Sequence, residues 1–143
     1  MPEQNLDVLN FDAEYCVPVA AVNDIVTARL QGRALAERLG FSAGEATLVA
    51  TAISELARNI VQYAGNGDIV LRSATNGTRR GIVVVARDRG PGIADLALAV
   101  RSGYSTSGGL GLGLPGVRRI VDEFQIESNR QEGTTVTVTK WTY

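Results

Sequence analysis

Apolar positions change period along this chain, and each change marks an expected element. Between residues 24 and 39, Ile25, Val26, Leu30, Ala34, Leu35 and Leu39 fall at helical spacing, and Gly40 ends the run. Residues 14–21 before it are apolar and β-branched enough for a strand. Ser42-Ala43-Gly44-Glu45 reads as a capping box, with the serine taking an amide of the first turn and the glutamate reaching back. The helix it opens is expected to run to Tyr63 or Ala64, where Gly65-Asn66-Gly67 supplies turn chemistry. Residues 68–74 and 81–87 read as paired strands around an Asn76-Gly77 hairpin turn. Because residues 82–86 are apolar throughout, the second of these is expected at the centre of a sheet.

Asp88-Arg89-Gly90-Pro91-Gly92 cannot continue a strand. A short helix is expected over residues 95–100 and a loop over 101–114. Pro115 suits the first position of a helix, because its missing amide is not needed there, and this helix is expected to run to about Phe124. Strands at 125–129 and 134–142 flank a turn at Gln131-Glu132-Gly133, and residues 1–13 read as a leader that adds an edge strand. Three or four helices with five strands in hairpins predict an α+β fold. Its form is a two-layer sandwich of a mixed, largely antiparallel sheet with helices on one face.

At 143 residues the chain is expected to be a single domain. Fourteen basic and fifteen acidic side chains give a formal charge of −1, so the basic excess of a phosphate-neutralising nucleic-acid binder is missing. The absence of histidine excludes an imidazole base, a His zinc ligand and a phosphohistidine on this chain. Cys16 is the sole cysteine, so it can form neither an internal disulfide nor a thiolate metal site, and it is read as a small buried hydrophobe. The first ten residues are polar and acidic, unlike a secretory signal, and no apolar run approaches the roughly 18 residues of a membrane helix. A cytoplasmic protein without membrane or nucleic-acid partners is expected.

Of sixteen glycines, seven lie between Gly90 and Gly113. Glycine-rich loops cradle phosphates because bare backbone amides can approach oxygens closely. A Walker A loop is excluded, since it needs a Lys-Ser/Thr pair and the only lysine is Lys140. Gly111-Leu112-Gly113-Leu114-Pro115-Gly116 matches G-x-G-x-x-G, but no strand directly precedes it, as a dinucleotide fold requires. A eukaryotic-type protein kinase would need a β3 lysine and an H-R-D loop, both missing.

Four separated pieces remain, in order: Glu55-Leu56-Ala57-Arg58-Asn59, Asp88-Arg89-Gly90-Pro91-Gly92, Gly109-Leu110-Gly111-Leu112-Gly113 and Gly133-Thr134-Thr135. Glu55 and Asn59 are four apart and share one helix face, about 100° from the apolar stripe of Val49, Ile53, Leu56 and Ile60. Alone, such a pair is a solvated helix face. With the glycine boxes downstream, the whole resembles the GHKL (Bergerat-fold) ATP-binding family, with its N box, G1 box, G2 box and final Gly-Thr.

The resemblance implies that Asn59 is the Mg²⁺ ligand and Glu55 the general base. It implies that Asp88 accepts a hydrogen bond from the adenine amino group, with Gly90 and Gly92 letting the backbone pass close to the base and Thr134 adding a hydroxyl. Gly109, Gly111 and Gly113 would free amides for the ATP phosphates, alongside Leu110 and Leu112. Residues 101–108, with Gly103, Ser105, Thr106 and Gly108, would form the lid.

No histidine, dimerisation helix pair or transducer domain is present. Within the family, the chain therefore resembles the small serine/threonine switch kinases of the stressosome. The lid carries this most specifically, although Leu112 stands where such lids often have alanine. The implied activity is ATP-dependent phosphorylation of STAS-domain proteins, an antagonist and a scaffold. Release would then allow binding and activation of an output protein such as a PP2C-type phosphatase. A non-catalytic ATP-dependent binding module, or an anti-sigma-factor-like kinase that sequesters its partner, is the alternative. A simple ATPase is a third reading, disfavoured because no second domain would use the hydrolysis.

Overall fold

The computed structural model describes residues 14–90, 113–129 and 133–142. The expected leader strand (1–13), the helix at 95–100, the lid and the residues Gln131 and Glu132 lie outside them. In chain order the described elements are β1 (Glu14–Val19), α1 (Val22–Arg38), α2 (Ala43–Asn59), a π-helical turn (Ile60–Ala64), β2 (Gly67–Asn76), β3 (Arg79–Asp88), α3 (Gly113–Ile120), β4 (Glu123–Asn129) and β5 (Gly133–Trp141).

The five strands form one sheet in the order β1-β2-β3-β5-β4, and every pairing is antiparallel. β3, the strand with the unbroken apolar run, is at the centre. Its register puts Ile82, Val84 and Ala86 on the same face as Ile69 and Leu71 of β2 and Val136 and Val138 of β5. Those side chains share one core with Ala28 and Leu35 of α1, Ile53 and Leu56 of α2, and Val117 of α3. The helices therefore cover one face of the sheet, as an α+β two-layer sandwich requires.

Local chemistry sets the helix boundaries. The Asp24 carboxylate accepts from the Ala20 and Ala21 amides at 2.8 and 3.0 Å, so α1 starts two residues earlier than its apolar pattern indicates. At α2 the serine half of the expected capping box forms, with Ser42 Oγ accepting from the Glu45 amide at 3.1 Å. α2 runs into the π turn, and the Gly65 amide closes on the Ile60 carbonyl at 2.9 Å, so helical backbone ends at Ala64 as expected.

Three expectations need correction. The two-residue hairpin loop is Gly77-Thr78, not Asn76-Gly77, because Asn76 pairs with Arg79 in the ladder. The helix containing Pro115 begins at Gly113 and stops at Ile120, and Phe124 belongs to β4. Tertiary bonds break that helix: the Asp122 amide donates to the Thr139 carbonyl at 2.9 Å, and its carboxylate takes the Trp141 amide at 2.7 Å. Pro115 loses nothing in the third position, since the first four helical amides have no intrahelical acceptor. Cys16 is exposed rather than buried. Val17 and Val19 take the inward positions of β1, and strand alternation sends Cys16 to the opposite face. Among the described residues no helix is long and apolar enough to cross a membrane.

Candidate nucleotide and phosphotransfer site

Two polar clusters flank the C-terminal part of α2 and its π turn. The first is built on Glu55. Its helix packs with one stripe inward, and Glu55 sits at the shoulder of that stripe, where α3 comes alongside. The residue is only 6% exposed, and both carboxylate oxygens are engaged. Oε2 accepts from Nη1 of Arg58 at 2.7 Å, and Oε1 accepts from the backbone amide of Gly113 at 3.1 Å. A buried carboxylate needs such partners, because an unpaired charge out of water is costly. Gly113 is the first residue of α3 and has φ +69°, a conformation glycine adopts without strain. The carboxylate thus also faces the positive end of that helix.

Asn59 lies one turn further along α2 and is half-buried. Among the described residues none hydrogen-bonds its side-chain amide. Among the described residues no group of three or more His, Cys, Asp or Glu side chains forms a metal site. An amide oxygen is a donor that a magnesium ion takes, and Asn59 would hold one that arrived with a nucleotide.

The second cluster is built on Asp88, at the end of β3. Its Oδ1 accepts from the Gly90 amide at 2.9 Å and the Thr134 amide at 3.2 Å. One carboxylate oxygen therefore ties the exit of β3 to the entry of β5, and the other is left for a ligand. Two glycines make this possible. A Cβ on Gly133 would stand 2.2 Å from the Asp88 carbonyl, and its φ is +86°. A Cβ on Gly90 would stand 2.6 Å from Cβ of Ala64, in the π turn. Glycine at both positions lets the exit of β3 lie against the π turn and the entry of β5 lie against the Asp88 backbone. Thr134 is buried, and its hydroxyl pairs with that of Ser128 on β4 at 2.8 Å.

Of the residues expected from sequence, Glu55 and Gly113 are brought into contact, Asp88, Gly90 and Thr134 form one network, and Asn59 shares the helix of Glu55. Gly92, Gly103, Ser105, Thr106, Gly108, Gly109, Leu110, Gly111 and Leu112 lie outside the described residues. Two contributors have no role in the sequence reading, Arg58 and Ser128, whereas Gly133 belongs to the final Gly-Thr motif. The spacing of Arg58, three residues after Glu55 on one helix, is the signal that could have found it. Ser128 carries no local signal, because its partnership depends on the β4–β5 register.

Comparison with known proteins agrees with this geometry. Residues 19–140 match the family described as Histidine kinase-like ATPase domain. Serine/threonine-protein kinase RsbT of Bacillus subtilis is 47% identical over 126 residues, 88% of this chain and 95% of that protein. Among solved structures, the RsbU and RsbW domains of Rv1364c from Mycobacterium tuberculosis align with a TM-score of 0.60 at 24% identity. That alignment covers 90% of this chain and 32% of the other. The mycobacterial sensor histidine kinase MprB aligns with a TM-score of 0.51 at 15% identity, covering 90% of this chain and 97% of the other. The catalytic domain of histidine kinase ThkA gives the same TM-score at 17% identity, covering 90% and 98%. The solved structures, all under 25% identical, carry the fold alone, whereas the Bacillus kinase is similar in sequence over most of the chain. The chain belongs to the histidine kinase-like ATPase family, as an ATP-binding serine/threonine kinase.

Proposed function

We propose that this kinase phosphorylates serine or threonine on STAS-domain regulatory proteins, an antagonist and a scaffold, and acts in the cytoplasm as a stress-response switch. Once released from them it binds and activates an output protein such as a PP2C-type phosphatase. The observation that carries the catalytic part is the buried Glu55 carboxylate, held at the N-terminus of α3 where the glycine-rich segment ends. A module that only bound ATP would have no use for a buried carboxylate aimed there, and this disfavours the alternative of a non-catalytic or sequestering partner.

In the proposed reaction Glu55 accepts the proton of the substrate hydroxyl. The hydroxyl oxygen bonds to the γ-phosphorus, the bond from that phosphorus to the β–γ bridging oxygen breaks, and ADP leaves. Asp88 reads the adenine amino group with its free oxygen, while Gly90 and Thr134 hold it in place. Asn59 would hold a magnesium ion, which supplies neutralisation of phosphate charge when bound.

The test is transfer of labelled phosphate from γ-labelled ATP to a STAS-domain protein encoded beside this kinase. Acid-stable label that disappears in Glu55→Ala and in Asp88→Asn is the expected result. Binding of the STAS protein without label would favour the non-catalytic module. Full transfer by Glu55→Ala would remove the general base.

A further inference from the structure

A carboxylate at the end of a glutamate side chain turns almost freely about its last bond, so its two oxygens are ordinarily interchangeable. At Glu55 they are not. Nη1 of Arg58 holds Oε2 at 2.7 Å, and only Oε1 is left to face α3, where it meets the Gly113 amide at 3.1 Å. The pair is asymmetric in exposure: the Glu55 side chain is 8% exposed and that of Arg58 43%. An i,i+3 ion pair with one partner this open to solvent contributes little to folding stability. Its geometric effect is large, since it fixes the plane of a buried carboxylate.

The geometry points to Arg58 as a positioning residue for phosphotransfer. By holding Oε2, it makes Oε1 the oxygen that receives the substrate proton, in exchange for the Gly113 amide. This rests on the reading of Glu55 as the base. The substrate hydroxyl donates its proton to Oε1 as its oxygen bonds to the γ-phosphorus. ADP departs with the electrons of the broken bond, and the Glu55 proton passes to solvent when the product leaves. Gly113 begins α3 directly after the glycine-rich stretch, so the exchange at Oε1 also ties the base to the position of that helix end.

Arg58→Met and Arg58→Lys test this together with Glu55→Gln. With the STAS-domain substrate, Arg58→Met is expected to lower kcat roughly 10- to 100-fold, the cost of a base misplaced by about an ångström. KM for ATP should stay within about twofold, because Arg58 does not touch the Asp88 cluster. Arg58→Lys should recover part of the loss, since an ammonium keeps the charge but lacks the planar fork. In the Glu55→Gln background, Arg58→Met should add nothing further. Equal losses in both backgrounds would overturn the proposal, by showing that Arg58 acts on substrate or phosphate directly. So would an unchanged kcat in Arg58→Met.

A second readout needs no substrate protein. Hydrogen exchange at the Gly113 amide, followed by NMR, should quicken about 5- to 10-fold in Arg58→Met, the worth of one ordinary hydrogen bond. An unchanged Gly113 rate would show that Arg58 does not orient Glu55, whatever the activity. If instead Glu55→Gln alone retains full phosphotransfer, the base assignment fails, and that result is separate from the Gly113 rate in Arg58→Met.

Discussion

Asp88 joins two strands, and the proposed function gives its carboxylate a second task that substitution can separate from the first. Oδ1 accepts from the Gly90 and Thr134 amides, joining β3 to β5, and under the proposed function the second oxygen reads adenine. Asp88→Asn keeps a carbonyl oxygen for both amides, so the unliganded protein should melt close to wild type. The new NH₂ would confront the exocyclic amino group of adenine, donor against donor. A hydrogen bond to a charged acceptor contributes about 1.5–3 kcal/mol, and losing it weakens ATP binding about 10- to 150-fold. Asp88→Ala removes the acceptor from two partly buried amides as well. At roughly 1–1.5 kcal/mol each, that costs about 2–3 kcal/mol of stability, or about 6–12 °C in melting temperature for a chain of this size. Calorimetric titration with ATP and thermal melting of the unliganded variants read the two effects apart. Asp88→Asn protein that melts normally and binds ATP within twofold of wild type would refute the adenine role. Asp88→Ala protein that melts like wild type would refute the strand-joining role.

Three further outcomes follow from packing. Gly133→Ala should destabilise by at least about 2 kcal/mol, because a Cβ would overlap the Asp88 carbonyl and the backbone has φ +86°; equilibrium urea unfolding measures it. Gly32→Ala should cost about 1–3 kcal/mol, since its Cβ would stand 2.0 Å from Cδ1 of Ile53 across the α1–α2 contact. Adding Ile53→Val, which removes that atom, should recover part of the loss in a double-mutant cycle. Cys16 should react with a thiol reagent in the native protein at a rate close to that of a free thiol; protection until unfolding would contradict its exposed place on β1.

Much of the fold was legible because its periods are local. The stripes of α1 and α2 and the unbroken apolar run of β3 each specify their element within a few residues. The mistakes arose where distant partners intervene. Phe124 continues the apolar pattern of α3, but Asp122 is captured by Thr139 and Trp141 of β5, and the chain turns into β4. Cys16 was read from its residue type, although strand alternation alone places it outward. In the candidate site, Glu55, Asn59, Asp88 and Thr134 are picked out by spaced motifs that resemble those of the family. The connections that make them a site were not, because Glu55 meets an amide 58 residues away and Asp88 meets one 46 residues away.

That last separation bears on how the protein is made. The central strand and its aspartate leave the ribosome well before β5, which supplies the Thr134 amide and the whole β3–β5 ladder. Until β5 docks, Asp88 has only its local Gly90 partner and the sheet has a raw edge beside its most apolar strand. If Asp88 reads adenine as proposed, a nascent chain gains nothing from cellular ATP during most of its synthesis. At the proposed site the nucleotide would be a ligand only of the finished sheet, and it would reward completion of folding rather than guide it.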